Sequence, residues 1–411
     1  VNDSNFQIEQ QCPQCGAPII LDESDRILAC QFCRTRVYLA TEDHFRLYLP
    51  PQKDIAEDIF FVPYWRVKGL SYTIRPFDIA YKYFDTNTLA LESQLLPHSL
   101  GLRPQAMKLK FVGDSSQTGR FIASSHQSTA SVLEKYQNFT GGKDDREIFI
   151  GETKSLIYTP VYFAHDQLYD AILKKPLLNQ SASAQIRIFF EESMPEKWHV
   201  EFIPLLCPNC GADLPGEKDA LILFCNNCHT AWNPSERNFP RVNYFTWHEQ
   251  GDDVIYIPFW QMQVKTTGIA LETYADLIRV ANLPKAPAEI WNRIPFYFQI
   301  PAFKVHPLLF LRWCRQMTAQ PAPADLSDVL PMKNIYPVTL PISEALDSSL
   351  ITLASLMTDK RHLQETTASL QLELKDYAIV LHPFRVTARE LIHAKLGFSM
   401  DITSLHLGAY L

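Results

Sequence analysis

Eight of the nine cysteines in this 411-residue chain stand in four Cys-x-x-Cys pairs, Cys12/Cys15 with Cys30/Cys33 and Cys207/Cys210 with Cys225/Cys228. Two such pairs supply the four thiolates of a closed tetrahedral zinc site. The short gap lets one turn present two sulfurs, and the 14 residues between pairs form a hairpin that brings the second turn back. The expectation is two Zn2+ ions, one for each set of four. Four sulfur ligands leave no position for water or substrate, so these ions are expected to be structural rather than catalytic. A rubredoxin-type iron centre uses the same knuckles and stays open as a second metal assignment. Gly16 and Gly211 follow the first knuckles, where a tight turn favours a residue tolerant of positive φ. At the second knuckles Arg34 and His229 take that place, which predicts a looser turn.

The remaining reactive residue types are read as structural. His229 adjoins a set already holding four cysteines and is read as a turn residue. His165 and Asp166 resemble an acid–base pair, but the matching positions later in the chain are Ala388 and Arg389, so an exposed helix start is expected. Cys314, flanked by Trp313 and Arg315, is read as a buried thiol on an apolar helix face. No His-Glu-x-x-His, Gly-x-x-x-x-Gly-Lys, Gly-x-Gly-x-x-Gly or Gly-x-Ser-x-Gly pattern occurs, and 14 glycines offer little material for a phosphate-binding loop. No catalytic residue and no small-molecule substrate is assigned.

The elements that must position the cysteines repeat with them. All eight recur at one offset of 195 residues, which continues through Asp58-Ile-Phe-Phe-Val-Pro-Tyr-Trp65 and Asp253-Val-Ile-Tyr-Ile-Pro-Phe-Trp260, with no gap required. Leu156-Ile-Tyr-Thr-Pro160 and Ile379-Val-Leu-His-Pro383 form a further pair at an offset of 223, so the second copy holds 28 extra residues. The expected fold is α+β and strand-rich, a tandem duplication of a four-cysteine zinc ribbon plus a mixed β-rich domain. Its expected divisions are ribbon 1 over 1–40, domain 1 over 41–195, ribbon 2 over 196–235 and domain 2 over 236–411. Strands are predicted over Ile59–Val67, Ile148–Ile150, Leu156–Phe163, Gln185–Phe190, Val254–Val264 and Leu370–Val380. Pro63, Pro160 and Pro258 lack a ladder donor, which predicts edge or bulged strands. Helices are predicted over Ser128–Asn138, Gln167–Leu173, Pro307–Met317 and Ser343–Met357, the last extending toward Leu370. The Pro-aromatic-Trp segments are read as core strands under the ribbons.

Composition narrows the function classes. With 46% hydrophobic and 12% aromatic residues the chain can bury two or more cores. No run of 18 apolar residues occurs, so transmembrane insertion is not expected, while peripheral membrane association stays open. Residues Val1–Gln11 lack the order of a secretory signal, and paired cysteines suited to zinc point to a reducing, cytoplasmic setting. A net charge of −7 argues against a nucleic-acid binder, and neither ribbon is basic: Arg26, Arg34 and Arg36 face Asp22, Glu23 and Asp25, and Lys218 faces Asp213, Glu217 and Asp219.

Cys-Pro-x-Cys-Gly-Ala, a second Cys-x-x-Cys and a downstream aliphatic-Pro-aromatic-Trp strand together resemble a poorly characterised group of bacterial proteins. That group couples transcription-factor-type zinc ribbons to a strand reading like Tyr-Val-Pro-Phe-Trp. The resemblance covers Cys12–Trp65 and Cys207–Trp260. It implies no catalytic residues. Some members carry transmembrane helices and look like partners of membrane-stress proteins of the phage-shock and SPFH kinds, from which this chain departs by lacking spans. The leading expectation is a non-enzymatic zinc-binding adaptor or structural subunit with protein partners. A nucleic-acid-associated ribbon protein is the alternative, and an enzyme with an unrecognised interdomain site the third reading.

Overall fold

The computed structural model describes residues 6–41, 43–75, 77–101, 108–113, 119–125, 146–235, 239–285, 288–331, 334–358, 370–403 and 405. They form the strand-rich α+β fold expected, organised around two large sheets. In the first, Ile79–Leu89, Ile59–Ile74, Arg146–Ala164 and Phe45–Tyr48 lie side by side in that order, and Gln167–Asp170 folds back on Arg146–Ala164. The second places Phe298–Pro301, Val254–Thr267, Gln371–Val386 and Tyr244–Thr246 in the same order, and Glu390–His393 folds back on Gln371–Val386. Registers agree as well: Trp65 lies opposite Leu156, and Trp260 opposite Ile379.

Two features modify the expected alignment. Leu156 pairs in parallel with Arg46, and Ile379 with Tyr244, so this short strand recurs at an offset of 198 rather than 195. The unbroken 195-residue match therefore conceals two compensating gaps, a longer lead from Cys228 into the strand and a shorter exit from it. The extra 28 residues divide: Leu89 follows Pro63 by 26 positions but Pro301 follows Pro258 by 43, and the rest enter between Pro301 and Ile379.

The proline-bearing strands are central rather than edge strands, which corrects the sequence expectation. Their bulges lie elsewhere, at Ile150/Thr153 and Gln263/Val264. One device explains all of them. Each proline stands just past the last pair of a neighbouring strand, where its missing N–H is not called for, while its carbonyl accepts the N–H of an alanine that ends the neighbour. The pairs are Pro63 with Ala90 at 3.0 Å, Pro258 with Ala302 at 3.1 Å, Pro160 with Ala171 at 3.0 Å and Pro383 with Ala394 at 2.9 Å.

Among the described residues the α-helices are α1 (Gln180–Glu192), α2 (Tyr274–Ala281), α3 (Pro307–Thr318) and α4 (Ile342–Leu356). The predicted strand at Gln185–Phe190 is part of α1. Asn179 caps it by accepting from Ala182 N–H at 2.9 Å, and Ser183, Ile186 and Phe190 are buried at helical spacing while Ile188 points outward. The predicted helix at Gln167–Leu173 is instead a strand and turn: His165 and Asp166, with φ of 49° and 58°, make a tight hairpin turn that returns Gln167–Asp170 onto Val161–Ala164. The same geometry replaces the helix start expected at His165. The backbone leaves α4 at Met357; the expected continuation toward Leu370 falls on 359–369, which, like Ser128–Asn138, lie outside the described residues.

One strand serves both halves. Along one face of Ile59–Ile74, Val62 and Tyr64 enter the first core, whereas Leu70, Tyr72 and Ile74 enter the core built on the second sheet. Tyr72 Oη donates to the Pro307 carbonyl at 2.8 Å. Arg66 and Lys68 occupy the seam between those two apolar stretches.

A buried histidine pair marks a difference between the sheets. His393 Nδ1 accepts the N–H groups of Lys395 and Leu396 at 3.2 and 3.1 Å, which places its proton on Nε2, facing His382 Nδ1 at 3.1 Å. In the first half Asp170 performs the same service for Ile172 and Leu173. Burial holds the His393 pKa down at about 4 and that of His382 well below the usual range. Both rings are neutral when folded and protonate near pH 6.5 when unfolded, so their contribution is complete above that pH and falls as pH drops toward 4. His393→Asn keeps an acceptor for the two N–H groups and is expected to flatten this loss by about 1–3 kcal/mol. Urea unfolding at pH 7 and pH 5 checks it; a pH dependence equal to that of the parent protein would contradict it.

Candidate metal centres

In the first ribbon each cysteine pair sits at the closed end of a hairpin. Cys12 and Cys15 follow the pairing of Gln7–Gln11 with Pro18–Asp22, and Cys30 and Cys33 lie between Ile27–Ala29 and Arg36–Ala40. The knuckles are built alike. Cys12 N–H donates to Ala17 O and Gly16 N–H to Cys12 O, both at 2.9 Å; Cys207 N–H donates to Ala212 O and Gly211 N–H to Cys207 O, both at 2.8 Å. The second knuckles use the same bonds, Arg34 N–H to Cys30 O and His229 N–H to Cys225 O, both at 3.0 Å. Arg34 and His229 adopt φ of 62° and 54°, as a glycine would, so these turns are as tight as the first, contrary to the expectation. His229 stays a turn residue, its carbonyl accepting from Tyr244 Oη at 2.9 Å.

The sulfur geometry fits zinc. Within each set all four Sγ atoms lie within 4.8 Å of one another. The closest approaches are Cys12–Cys33 at 3.6 Å and Cys15–Cys30 at 3.7 Å, then Cys207–Cys228 and Cys210–Cys225 at 3.5 Å. A tetrahedron with bonds of about 2.3 Å requires sulfurs roughly 3.8 Å apart, whereas a disulfide would bring two of them to about 2 Å. The two sets therefore fit two structural zinc ions.

Two threonines missing from the sequence reading complete the sites. Thr35 Oγ1 lies 3.2 Å from Cys33 Sγ, and Thr230 Oγ1 lies 3.0 Å from Cys228 Sγ and 3.7 Å from Cys207 Sγ. Trp232 Nε1 donates to Thr230 Oγ1 at 2.8 Å, which turns the hydroxyl proton toward the sulfurs. These hydroxyls hold the Cys33 and Cys228 thiols down at about 6, in the direction of the thiolate that a metal needs. Burial pushes Cys225 up to about 12; that proton must leave when the metal enters. The signal was present, since Thr35 and Thr230 share the 195-residue offset. Thr230→Val is expected to weaken zinc binding at the second site by about 10–100-fold, on the order found for such supporting contacts. Competition with a chromogenic chelator measures it, and unchanged affinity would remove the hydroxyl's role.

The ribbons are wedged between the two halves. Glu201–Pro204, which leads into Cys207, pairs with Arg36–Ala40 and extends the first ribbon's sheet. Lys218 O in the second ribbon accepts Arg26 N–H at 2.6 Å and Ile27 N–H at 2.8 Å, and Arg36 Nη2 donates to Gly216 O at 2.6 Å. Ile27, Tyr38, Leu205, Cys207, Leu223 and Cys225 share one apolar cluster. On the opposite side each ribbon packs on a sheet: Leu28 and Leu39 join the core of the first, Phe224 and Ala231 that of the second.

Charged residues beside the first ribbon point inward. Arg66, 1% exposed, meets Asp85 through Nε at 3.0 Å and Nη2 at 2.9 Å, pairs with Glu23 of the ribbon hairpin, and stacks 3.6 Å above Phe6. Arg26 donates to the carbonyls of Glu23 and Asp25. Trp65 and Trp260 are buried at 4% and 2%, so the Pro-aromatic-Trp segments are core strands. Cys314 is fully buried, and that burial raises its thiol well above the usual range, as an inert core residue. No protein-family model, curated protein or solved structure matches the chain.

Proposed function

We propose that this chain is a non-enzymatic zinc-dependent adaptor or structural subunit of a larger assembly, built as two copies of a ribbon-plus-sheet unit with protein partners. The observation that carries it is the closed four-sulfur geometry of both sites, set inside a shared ribbon-to-ribbon interface: the metals brace a scaffold and offer no ligand position to a substrate. Phe32, at the tip of a knuckle and 74% exposed, is a group on which a partner can settle. The internal engagement of Arg26, Arg36 and Arg66 speaks against a nucleic-acid surface on the first ribbon. The repeated knuckle and proline geometry fits the coupled ribbon-and-strand pattern on which the resemblance to bacterial ribbon proteins rests; the link to membrane-stress machinery is proposed from that resemblance alone, and a cytoplasmic site of action from the paired cysteines suited to zinc. No helix among the described residues is long and apolar enough to cross a membrane. Native mass spectrometry of the protein purified from its own host tests the reading. Two zinc ions and a stoichiometric partner are expected; a solitary protein at its native concentration would overturn it.

A further inference from the structure

The structure assigns the first four-cysteine set as an oxidation site, with hydrogen peroxide as its reagent, and the second set as the one that endures; this rests on the zinc sites of the reading above and adds their regulation. The two sets share spacing and turn geometry but not cover. Cys15 and Cys33 are both exposed, whereas in the second set Cys210 is exposed and Cys228 half-buried. Cys207 and Cys225 belong to the apolar cluster between the ribbons, and Cys228 packs against it. No sulfur of the first set joins an apolar cluster among the described residues. Support differs in the same sense. Thr230 reaches both Cys228 and Cys207 and is fixed by Trp232, whereas Thr35 reaches Cys33 in an exposed contact, and Val37 stands where the 195-residue offset would put the tryptophan.

Each exposed sulfur of the first set has a buried one from the opposite knuckle beside it: Cys33 lies 3.6 Å from Cys12, and Cys15 lies 3.7 Å from Cys30. Cysteine oxidation follows thiolate character and exposure, so attack starts at Cys33 or Cys15. That thiolate attacks one peroxide oxygen, the O–O bond breaks, and the hydroxide that leaves takes a proton from solvent, giving a sulfenic acid and water. The buried thiolate then attacks the oxidised sulfur, the S–S bond forms, the S–O bond breaks and a second hydroxide leaves as water. Two thiolates have then given up two electrons, and one peroxide and two protons have become two waters. The sulfurs need only close to about 2 Å. The two ligands left over are too few for a four-coordinate site. The new bond joins the two turns of the ribbon and resets the knuckle that carries Phe32, the exposed group offered to a partner.

The test treats the zinc-loaded full chain with hydrogen peroxide in the presence of a chromogenic chelator, and maps disulfides by non-reducing peptide mass spectrometry as zinc appears. One ion is expected to leave roughly tenfold faster than the other, together with a Cys12–Cys33 or Cys15–Cys30 disulfide, and reduction with added zinc is expected to restore it. Trp232→Phe keeps the ring but removes the donor to Thr230; it is expected to speed loss of the second ion severalfold and so narrow the difference. Equal release of the two ions, a first disulfide within the second set or within a single knuckle, zinc loss without a disulfide, or an unchanged second ion in Trp232→Phe would overturn the proposal. The same experiment separates the two readings. A reduced protein that holds fewer than two zinc ions after loading refutes the zinc sites themselves, whereas two ions that resist peroxide equally refute the oxidation site and leave the zinc sites standing.

Discussion

Cys225→Ser is expected to cut bound zinc from two ions to one per chain and to loosen the first ribbon as well as the second. Cys225 is fully buried and belongs to the apolar cluster that also holds Ile27 and Tyr38 of the first ribbon. A serine leaves three sulfurs, and in isolated ribbons a zinc site contributes on the order of 10–16 kcal/mol, comparable with the net stability of a whole domain. Losing it frees the Lys218 carbonyl that receives Arg26 and Ile27, and detaches the end of the Glu201–Pro204 strand, which runs on to Cys207, from its anchor. Metal analysis is expected to give one zinc, and the zinc that remains should be released to a chelator faster than from the parent protein. Cys314→Ala is the control: it opens a small core cavity but keeps both ions. Two retained ions with parent-like release in Cys225→Ser would exclude the assigned ligand set. Normal release of the first ion after loss of the second would exclude the coupling.

Arg66→Met is expected to destabilise the protein by about 3–5 kcal/mol, because it strands a buried carboxylate. Glu23 is 4% exposed, and Arg66 is its ion-pair partner at the seam. Asp85, whose side chain is 34% exposed, can recover water and adds less. Glu23→Gln combined with Arg66→Met removes both charges and is expected to restore most of the loss, since replacing a buried pair is commonly near neutral while breaking it is not. Guanidinium denaturation of the three proteins at constant zinc measures the difference. A loss below about 1 kcal/mol for the single variant would show that the pair does not clamp the ribbon.

The two groups of four cysteines and the strands at Trp65 and Trp260 were legible in sequence because cysteine spacing and apolar runs are local properties. The helix of α3 was legible for the same reason. The failures share a physical cause. Gln185–Phe190 alternates like a strand, yet the Asn179 cap and the burial of Ile186 with Phe190 make it helical. Pro63 and Pro258 read as edge markers, because nothing in the sequence tells where the adjoining strand stops. Nothing in the local sequence around Arg66 shows that it is buried; only the approach of the Glu23 hairpin turns it inward.

By itself the sequence determined which eight sulfurs gather into two four-sulfur groups that fit zinc, and that the two groups lie one constant spacing apart. These follow from residue type and spacing, which bond lengths and hairpin geometry translate directly into a tetrahedral site. Tertiary structure decided what surrounds the two four-sulfur groups: that the second ribbon's lead-in strand completes the first ribbon's sheet, and that one strand of the first half enters the second core. Such contacts join residues far apart along the chain. They depend on which surfaces bury the most apolar area together, a property of the whole packed chain that no local pattern encodes.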